Sequence, residues 1–299
     1  MTKKLSGTEA SQAWIELIAR EVFEIQKKHP KAPPPGLGIL QVGENPASST
    51  YIRQKLKVGK TCGFNVKHIQ LSKQISESEI LKAIENFSRD PFIHGFIVQL
   101  PLDHDPDLNP NFTAQALDLI PPNKDADGLS VLNQGRVFAG LSNLNEWSSP
   151  IPATPYGIMK LLQHYKIPLK AKDAVVIGKS RLVGLPAAVL LTHAGATVTL
   201  CHKNTQNLEE KISKAEILVV AAGSMHLVGP QSVSKSAVII DVGIHTNPAT
   251  GRLTGDVHPD ASLHCAAISP VPGGVGPMTV AALMDNTFRL YKQSLTTSF

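Results

Sequence analysis

Three prolines and three glycines fall within nine residues near the end of this 299-residue chain, in the segment 269–277. Proline fixes φ and removes an amide donor, whereas glycine tolerates positive φ and lets a ligand come close to the backbone. The segment therefore predicts a loop of one stiff shape, followed by a helix with Pro277 near its first turn. A tight strand-to-helix connection is the simpler interpretation, but such a connection rarely needs so many special residues.

Composition describes a globular protein and argues against several function classes. Charged residues make up 18% of the chain and hydrophobic residues 42%, which fits one large domain or two ordinary ones. The basic residues are scattered without interleaved aromatics, so we expect no nucleic-acid partner despite a net charge of +5. The most apolar long stretch, 183–200, is interrupted by Pro186 and Gly195, and we expect no membrane span.

The three cysteines form no C-x-x-C pair, so neither a zinc site nor a disulfide framework is predicted. The start of the chain is basic but lacks the apolar core of a signal peptide. A reducing cytoplasm is therefore the expected location.

Short β-rich runs alternate with longer helical patterns, which predicts βαβ units, a parallel sheet and an α/β fold. Ser76 and Glu79 form a predicted capping box at the start of one helix. Helices are predicted at 47–62, 76–90, 156–164 and 183–193, and from Pro277 onward. Strands are predicted at 36–42, 64–71, 95–100, 173–178, 197–201, 217–223 and 237–241.

The segment 120–155 is rich in proline and glycine, and it predicts irregular structure with a domain boundary near Pro150. We therefore expect a first α/β domain over residues 1–150 and a second, Rossmann-like domain over 151–279. The C-terminal helix, 280–299, is expected to cross back and complete the first domain.

A dinucleotide site is predicted where Gly178 ends a strand and precedes a helix. The turn departs from G-x-G-x-x-G, because Ser180 and Val183 occupy the second and third glycine positions. By this pattern alone, an ordinary tight turn is equally compatible.

The end of the following strand favours NADP over NAD. An NAD site usually places an acidic residue there to bind the ribose hydroxyls, but this chain has Lys203 and no acid. Lys179, Arg181 and Lys203 would instead supply positive charge for a ribose 2′-phosphate. The alternative is that all three are solvated surface charges.

A candidate chemical site begins with Tyr51 and Lys55, which share one face of a predicted helix with Ser48 one turn earlier. By itself, a Tyr/Lys pair on a helix more often lies on a solvated face than in a catalytic site. The segments 99–102, 124–128 and 272–276 could converge with it, because ligands of open α/β sheets bind at the carboxyl ends of strands.

These motifs, in this order, closely resemble the bifunctional methylenetetrahydrofolate dehydrogenase/methenyltetrahydrofolate cyclohydrolase family. The resemblance rests on Ser48-x-x-Tyr51-x-x-x-Lys55, 98–102 (Val-Gln-Leu-Pro-Leu), 124–128 (Lys-Asp-Ala-Asp-Gly) and 272–279 (Pro-Gly-Gly-Val-Gly-Pro-Met-Thr). It spans about residues 36–286. It implies two lobes, an N-terminal three-layer α/β folate domain and a Rossmann-like NADP domain with a parallel sheet. Folate would lie in the cleft between the lobes, and a homodimer would form through the NADP lobes.

The resemblance also implies two consecutive reactions and the residues that carry them. Methylenetetrahydrofolate would be oxidised with NADP to the methenyl cation, and water would open that cation to 10-formyltetrahydrofolate, with no metal. Lys55 would act as general acid/base, which requires a lowered pKa. Tyr51 would orient Lys55, Gln99 would polarise the reacting region, and Asp127 would accept hydrogen bonds from the pterin, with Asp125 as the alternative.

The implied binding residues follow from the same motifs. The substrate would also contact Ser48, Val98, Leu100, Pro272, Gly273, Gly274, Val275 and Gly276. The cofactor would contact Gly178, Lys179, Ser180, Arg181, Lys203 and Ile244.

Four positions depart from the family pattern. Ala153 stands where many members have cysteine, which excludes an essential thiol there. Lys179 replaces a frequent arginine and binds phosphate without the bidentate fork. His94 stands where an acid is common, and Lys203 where a hydroxyl residue is common.

Three other functions stay open from the sequence. They are a dehydrogenase that lacks efficient cyclohydrolase activity, a folate- or NADP-binding regulatory protein without turnover, and an NADP-dependent dehydrogenase of another substrate. Both stiff turns border the proposed site, so a cis bond is predicted at Leu100–Pro101 or Val271–Pro272.

Overall fold

The computed structural model describes residues 2–104, 109, 111–144 and 146–297, and within them the chain alternates strands and helices. The strands are β1 (Lys3–Lys4), β2 (Gly36–Val42), β3 (Asn65–Leu71), β4 (Gly95–Val98), β5 (Asp173–Ile177), β6 (Thr197–Cys201), β7 (Ile217–Val220), β8 (Val238–Asp241), β9 (His245–Thr246), β10 (Leu253–Thr254) and β11 (Ala267–Ile268). The helices are α1 (Gly7–Lys28), α2 (Pro46–Thr61), α3 (Glu77–Arg89), α4 (Phe112–Asp118), α5 (Val131–Phe138), α6 (Ala153–His164), α7 (Gly184–His193), α8 (Leu208–Lys214) and α9 (Val275–Thr297). No described helix is both long and apolar enough to span a lipid bilayer.

The chain divides into two compact units. The small-sheet unit comprises Ala13–Arg136, Trp147–Ala153 and Val280–Phe299. The large-sheet unit comprises Met1–Gln12, Val137–Glu146 and Thr154–Thr279.

The small-sheet unit is built on three parallel strands in the order β3-β2-β4. Every residue of the central strand β2 is buried, as expected for a parallel strand covered on both faces. Its core also takes apolar side chains from α1, α2 and α9, among them Ile18, Ile52, Leu283 and Phe288. A parallel bridge between Phe96 and Asp125 adds the segment after α4 to the sheet edge.

Local signals placed several elements of this unit correctly, although neither α1 nor α4 was predicted. The capping box at α3 is confirmed, since the Ser76 hydroxyl accepts from the Glu79 amide and the Glu79 carboxylate accepts from the Ser76 amide. Strand β2 has the predicted bounds, and α2 lies within one residue of them at each end.

The large-sheet unit contains six parallel strands in the order β1-β11-β8-β7-β5-β6. The chain leaves β5 for β6 on one side and returns to β7 on the other side. This reversal of strand order creates a crevice at the carboxyl ends of β5 and β7, where α/β sheets bind ligands. The predicted Rossmann-like arrangement is therefore confirmed, and the short antiparallel pair β9–β10 follows β8.

The prediction that 120–155 is irregular is wrong over α5. This helix contains Gly135, a poor helix former, and its amino end is held by one distant and one adjacent acceptor. Asp118 accepts from the Val131 amide at 3.3 Å, and the Ser130 hydroxyl accepts from the Asn133 amide at 3.4 Å. The Asp118 contact has no signature in the local sequence, whereas Ser130 directly before the helix is a local capping residue.

Two helix boundaries also differ from the prediction. Helix α6 begins at Ala153 rather than at residue 156. The C-terminal helix begins at Val275, so Pro277 lies inside its first turn. Residues 298 and 299 of the predicted helix 280–299 lie outside the described residues.

His94 is a buried histidine held in its neutral form at the amino end of β4. Its Nδ1 accepts the Gly36 amide at 2.8 Å, and its ring meets the Tyr291 ring edge-on at 4.9 Å. Burial, aided by the charge of Lys124 and opposed by Asp90, lowers the pKa of His94 to about 4. An imidazolium would lose this acceptor, so the fold selects the neutral ring.

We predict that His94 makes the small-sheet unit sensitive to mild acid. Because its pKa is lower in the folded state than in the unfolded chain, stability is fully present above the unfolded value and falls as pH falls toward 4. From pH 7 to pH 5 the free energy of unfolding should drop by about 2 kcal/mol through this one group. Urea unfolding at the two pH values measures the drop.

The matched variants are His94→Asn, whose side-chain oxygen can still accept the Gly36 amide, and His29→Asn at an exposed position. His94→Asn should reduce the acid-induced loss by that amount, and His29→Asn should leave it unchanged. An NMR titration placing the His94 imidazole near 6.5 would contradict the prediction.

Candidate functional site

Lys55 and Gln99 meet inside the small-sheet unit. Lys55 lies on the buried side of α2 with 7% of its surface exposed, and Gln99 follows the last residue of β4. The Lys55 ammonium donates to the Gln99 carbonyl oxygen at 2.8 Å. Gln99 is itself fixed, because its amide group donates to the Leu100 carbonyl at 2.7 Å.

The electrostatic setting makes the neutral amine of Lys55 more available near neutral pH than that of a solvated lysine. Burial lowers the pKa of Lys55 below its ordinary 10.5, while the charge of Asp127 opposes part of the change. Burial raises the pKa of Asp127, opposed by Lys55 and assisted by Asp125. The amine can therefore be deprotonated at a lower pH than usual, beside a carboxylate that still attracts its charged form.

Tyr51 and Ser48 lie on the same side of α2 as Lys55, as the spacing predicted. Burial raises the pKa of Tyr51, so the phenol keeps its proton at neutral pH. The Ser48 hydroxyl is buried and has no hydrogen-bond partner among the described residues. A buried hydroxyl without a partner is costly, which fits a group whose partner is a ligand.

Asp125 is held by its own loop. Its carboxylate accepts from the Leu129 amide at 3.1 Å, the Ser130 amide at 2.8 Å and the Asn133 side chain at 2.9 Å. The residue is fully buried. These contacts give Asp125 a structural role and leave Asp127 as the acid beside Lys55.

The two stiff turns have the conformation predicted for at least one of them. The Leu100–Pro101 and Val271–Pro272 bonds are both cis, so the prediction is confirmed. Val98 is buried in β4 just before the first of these turns.

The proline–glycine loop belongs to the large-sheet unit. Gly273 has φ +94°, a value that favours glycine. Its carbonyl accepts the Thr8 amide at 3.1 Å, an amide that lacks a partner within the first turn of α1. Pro272, Gly273 and Gly276 keep part of their surface exposed, whereas Gly274 and Val275 are buried.

No sequence pattern predicted that the first residues of the chain hold this loop. A methyl group on Gly7 would lie 1.7 Å from the Gly274 carbonyl oxygen. The only available signal was a glycine at the start of α1, which by itself is unspecific.

The turn after β5 has the shape of a phosphate site. Gly178 has φ +114°, and a side chain there would lie 2.1 Å from the Ala221 carbonyl oxygen. A side chain on Gly184 would lie 1.8 Å from the Gly178 carbonyl oxygen. The turn thus packs backbone against backbone and leads into α7, whose amino end can bind a phosphate.

The cofactor candidates lie at the carboxyl ends of strands in this unit. Lys179 and Ser180 are exposed in the turn, and Arg181 is half-buried after them. Lys203 is exposed two residues after β6, and Ile244 is 43% exposed just before β9. A glycine turn with exposed cations beside it fits a phosphorylated dinucleotide.

Metal-binding geometry is absent from the described ranges, because no three His, Cys, Asp or Glu side chains there are arranged to hold an ion. The cysteines Cys62, Cys201 and Cys265 are free and buried.

Two family models match the chain. Residues 5–127 match the tetrahydrofolate dehydrogenase/cyclohydrolase catalytic domain. Residues 152–295 match the tetrahydrofolate dehydrogenase/cyclohydrolase NAD(P)-binding domain.

Relatives are similar over nearly all of the chain. A "Bifunctional protein FolD" of Methanoculleus marisnigri is 42% identical over 96% of both chains. A cytoplasmic C-1-tetrahydrofolate synthase of Drosophila melanogaster is 41% identical over 96% of this chain and 29% of its own. The structure of the Trypanosoma brucei methylenetetrahydrofolate dehydrogenase-cyclohydrolase, complexed with NADP and an inhibitor, aligns with a TM-score of 0.90, 32% identity and 98% coverage of both chains. Both matched domains and these relatives show that the chain belongs to the tetrahydrofolate dehydrogenase/cyclohydrolase family.

Proposed function

We propose that this protein oxidises methylenetetrahydrofolate with NADP and then hydrolyses the methenyl product to 10-formyltetrahydrofolate. The observation that carries the proposal is the buried Lys55 ammonium, bound to Gln99 and electrostatically coupled to Asp127. A regulatory binding protein has no need of a lysine whose pKa is lowered by burial. Membership of a family named for both activities supports the same conclusion.

Lys55 performs the proton transfers of the hydrolytic reaction. Its neutral amine accepts a proton from the water that attacks the methenyl carbon, and the resulting ammonium protonates the ring nitrogen as the C–N bond opens. The hydroxyl proton of the tetrahedral intermediate leaves as the formyl carbonyl forms, so the reaction consumes one water and releases one proton overall. Gln99 orients the amine through its carbonyl oxygen. Tyr51, a neutral phenol on the same face of α2, helps to orient Lys55.

The oxidation depends on position rather than on an acid or base. Bound NADP supplies a hydride acceptor. The chain holds the donor carbon in place, with the Ser48 hydroxyl as a hydrogen-bonding group and Asp127 as the acceptor for the pterin N–H edge. In the loop from Pro272 to Gly276, the partly exposed backbone of Gly273 and Gly276 gives the ligands a surface without bulky side chains, and the buried Gly274 and Val275 hold the shape of that loop. Val98 and Leu100 frame the position of Gln99.

The turn after β5 and the ends of the neighbouring strands bind NADP in this proposal. Gly178 and Ser180 receive the pyrophosphate at the amino end of α7. Lys179, Arg181 and Lys203 attract the 2′-phosphate, and Ile244 supplies an apolar contact.

We assign folate chemistry to residues 1–150 with the helix 280–299, and cofactor binding to residues 151–279. The protein is a cytoplasmic homodimer in this proposal. The Drosophila relative is named as a cytoplasmic enzyme, which supports a cytoplasmic location. Exposed apolar side chains in the large-sheet unit, Leu253 at 46% and Leu263 at 77%, support a partner surface there. Light scattering that gives one chain mass in solution would exclude the dimer.

The proposed function is tested by following reduced cofactor and methenyl absorbance together, with methylenetetrahydrofolate and either NADP or NAD. NADPH formation without lasting methenyl build-up supports both activities in one chain. Accumulating methenyl product would indicate a dehydrogenase with weak cyclohydrolase activity. Absence of reduced cofactor would contradict the proposal and favour a binding protein or another substrate.

We predict that Lys55→Met lowers cyclohydrolase kcat by roughly 10²- to 10⁴-fold, the usual contribution of a positioned acid/base. The control is Lys57→Met, at an exposed position of the same helix. It should retain wild-type rates, and both variants should be assayed with methenyltetrahydrofolate. Wild-type activity should rise with pH through a midpoint below 10.5, because burial lowers the pKa of Lys55. Normal hydrolysis by Lys55→Met would exclude this residue as the base.

We predict that Lys203→Asp weakens NADP roughly 10- to 100-fold and NAD far less, since a charged hydrogen bond contributes about 1.5–3 kcal/mol. Lys235→Asp makes the same charge change at an exposed position before the amino end of β8. It should alter neither dissociation constant. Equal weakening of NADP and NAD by Lys203→Asp would show that Lys203 does not contact the 2′-phosphate.

A further inference from the structure

Asp256 is a fully buried carboxylate that collects four hydrogen bonds. Its Oδ2 accepts the Ala222 amide at 2.7 Å and the Gly223 amide at 3.0 Å. Its Oδ1 accepts the Ser224 amide at 2.9 Å and His245 Nε2 at 2.7 Å. None of its surface is exposed. Three successive amides aimed at one carboxylate fix the backbone of the loop 222–224 in a single shape.

This loop forms the back of the phosphate turn. Residues 222–224 follow β7, and the preceding Ala221 carbonyl oxygen is the atom that a side chain on Gly178 would strike. The loop and the turn leave β7 and β5, the two strands at the reversal of strand order. Any shift of the loop therefore changes the space available to a dinucleotide at that edge.

The same carboxylate also holds the segment after β8. His245 binds it directly, and a side chain on Gly243 would lie 2.4 Å from its carboxyl carbon. Between these two residues lies Ile244, the candidate apolar contact of the cofactor. Asp256 thus contacts both strand-end loops that border the proposed dinucleotide position.

A second buried acid fixes Asp256 in turn. The Asp241 carboxylate accepts the Asp256 amide at 3.0 Å, the Val257 amide at 3.1 Å and the Gly243 amide at 3.1 Å. Asp241 is the last residue of β8, so its hydrogen bond to the Asp256 amide fixes Asp256 relative to the sheet.

We propose that Asp256 is a positioning residue for NADP, acting through the loop 222–224 and through His245. The proposal rests on the proposed cofactor function, and it adds a residue that has no contact with the cofactor itself. A carboxylate is required because all its partners are donors, and an amide in its place would direct an N–H group at other N–H groups.

The experiment compares Asp256→Asn with Asp260→Asn, an exposed acid nearby. NADP binding is measured by calorimetry, and KM values are measured for NADP and for methylenetetrahydrofolate. Asp256→Asn should raise the dissociation constant and the KM for NADP at least tenfold, with the folate KM within twofold of wild type. Asp260→Asn should match the wild type in all three. Unchanged NADP binding by Asp256→Asn would overturn the proposal, as would an equal rise of both KM values.

His245 provides a second pair of variants in case Asp256→Asn does not fold, since its side chain is 23% exposed. His245→Gln keeps an N–H donor and should bind NADP within threefold of wild type, whereas His245→Leu should bind at least fivefold more weakly. Equal affinities for the two variants would overturn the proposal. Failure of the wild-type protein to bind NADP would instead overturn the proposed function.

Discussion

The burial of one lysine charge determines how the candidate active site is built. An ammonium removed from water is unfavourable unless hydrogen bonds and an opposite charge compensate it. Lys55 receives both, from Gln99 and Asp127, and these come from the end of β4 and from the segment bridged to the sheet edge. The sheet, α2 and the loop after α4 must therefore all be in place before Lys55 can serve as the proposed base.

Buried carboxylates perform a related task for the irregular segments of both units. Asp125, Asp241 and Asp256 each accept backbone amides from loops that no helix or strand ladder satisfies. An amide left unpaired in the interior is costly, so each carboxylate selects one loop conformation. The two acids nearest the proposed chemistry differ in role for this reason. The Asp125 carboxylate accepts hydrogen bonds from its own loop, whereas Asp127 interacts electrostatically with Lys55.

Elements that form through interactions between nearby residues were easier to predict from the sequence than elements that depend on distant residues. Strand β2 and helix α3 were predicted because an apolar run and the Ser76–Glu79 capping box are local signals. No pattern predicted β1, whose two lysines pair with β11 more than 260 residues away. Helix α5 was missed because it lies in a segment rich in glycine and proline, and the acceptor of its Val131 amide is Asp118, outside the helix. Thr8 and Asp256 were missed as well, since each acts on a loop that is distant in the sequence.

The sequence by itself determined the α/β class, the parallel strands, the glycine turn at Gly178 and the helical spacing of Ser48, Tyr51 and Lys55. All of these depend on local periodicity or on the conformational limits of glycine and proline. Only the tertiary structure decided that Lys55 is buried against Gln99, that Asp125 is structural, and that Asp256 joins two loops. Burial and hydrogen-bond partners arise when distant segments pack together, and no short stretch of sequence contains them.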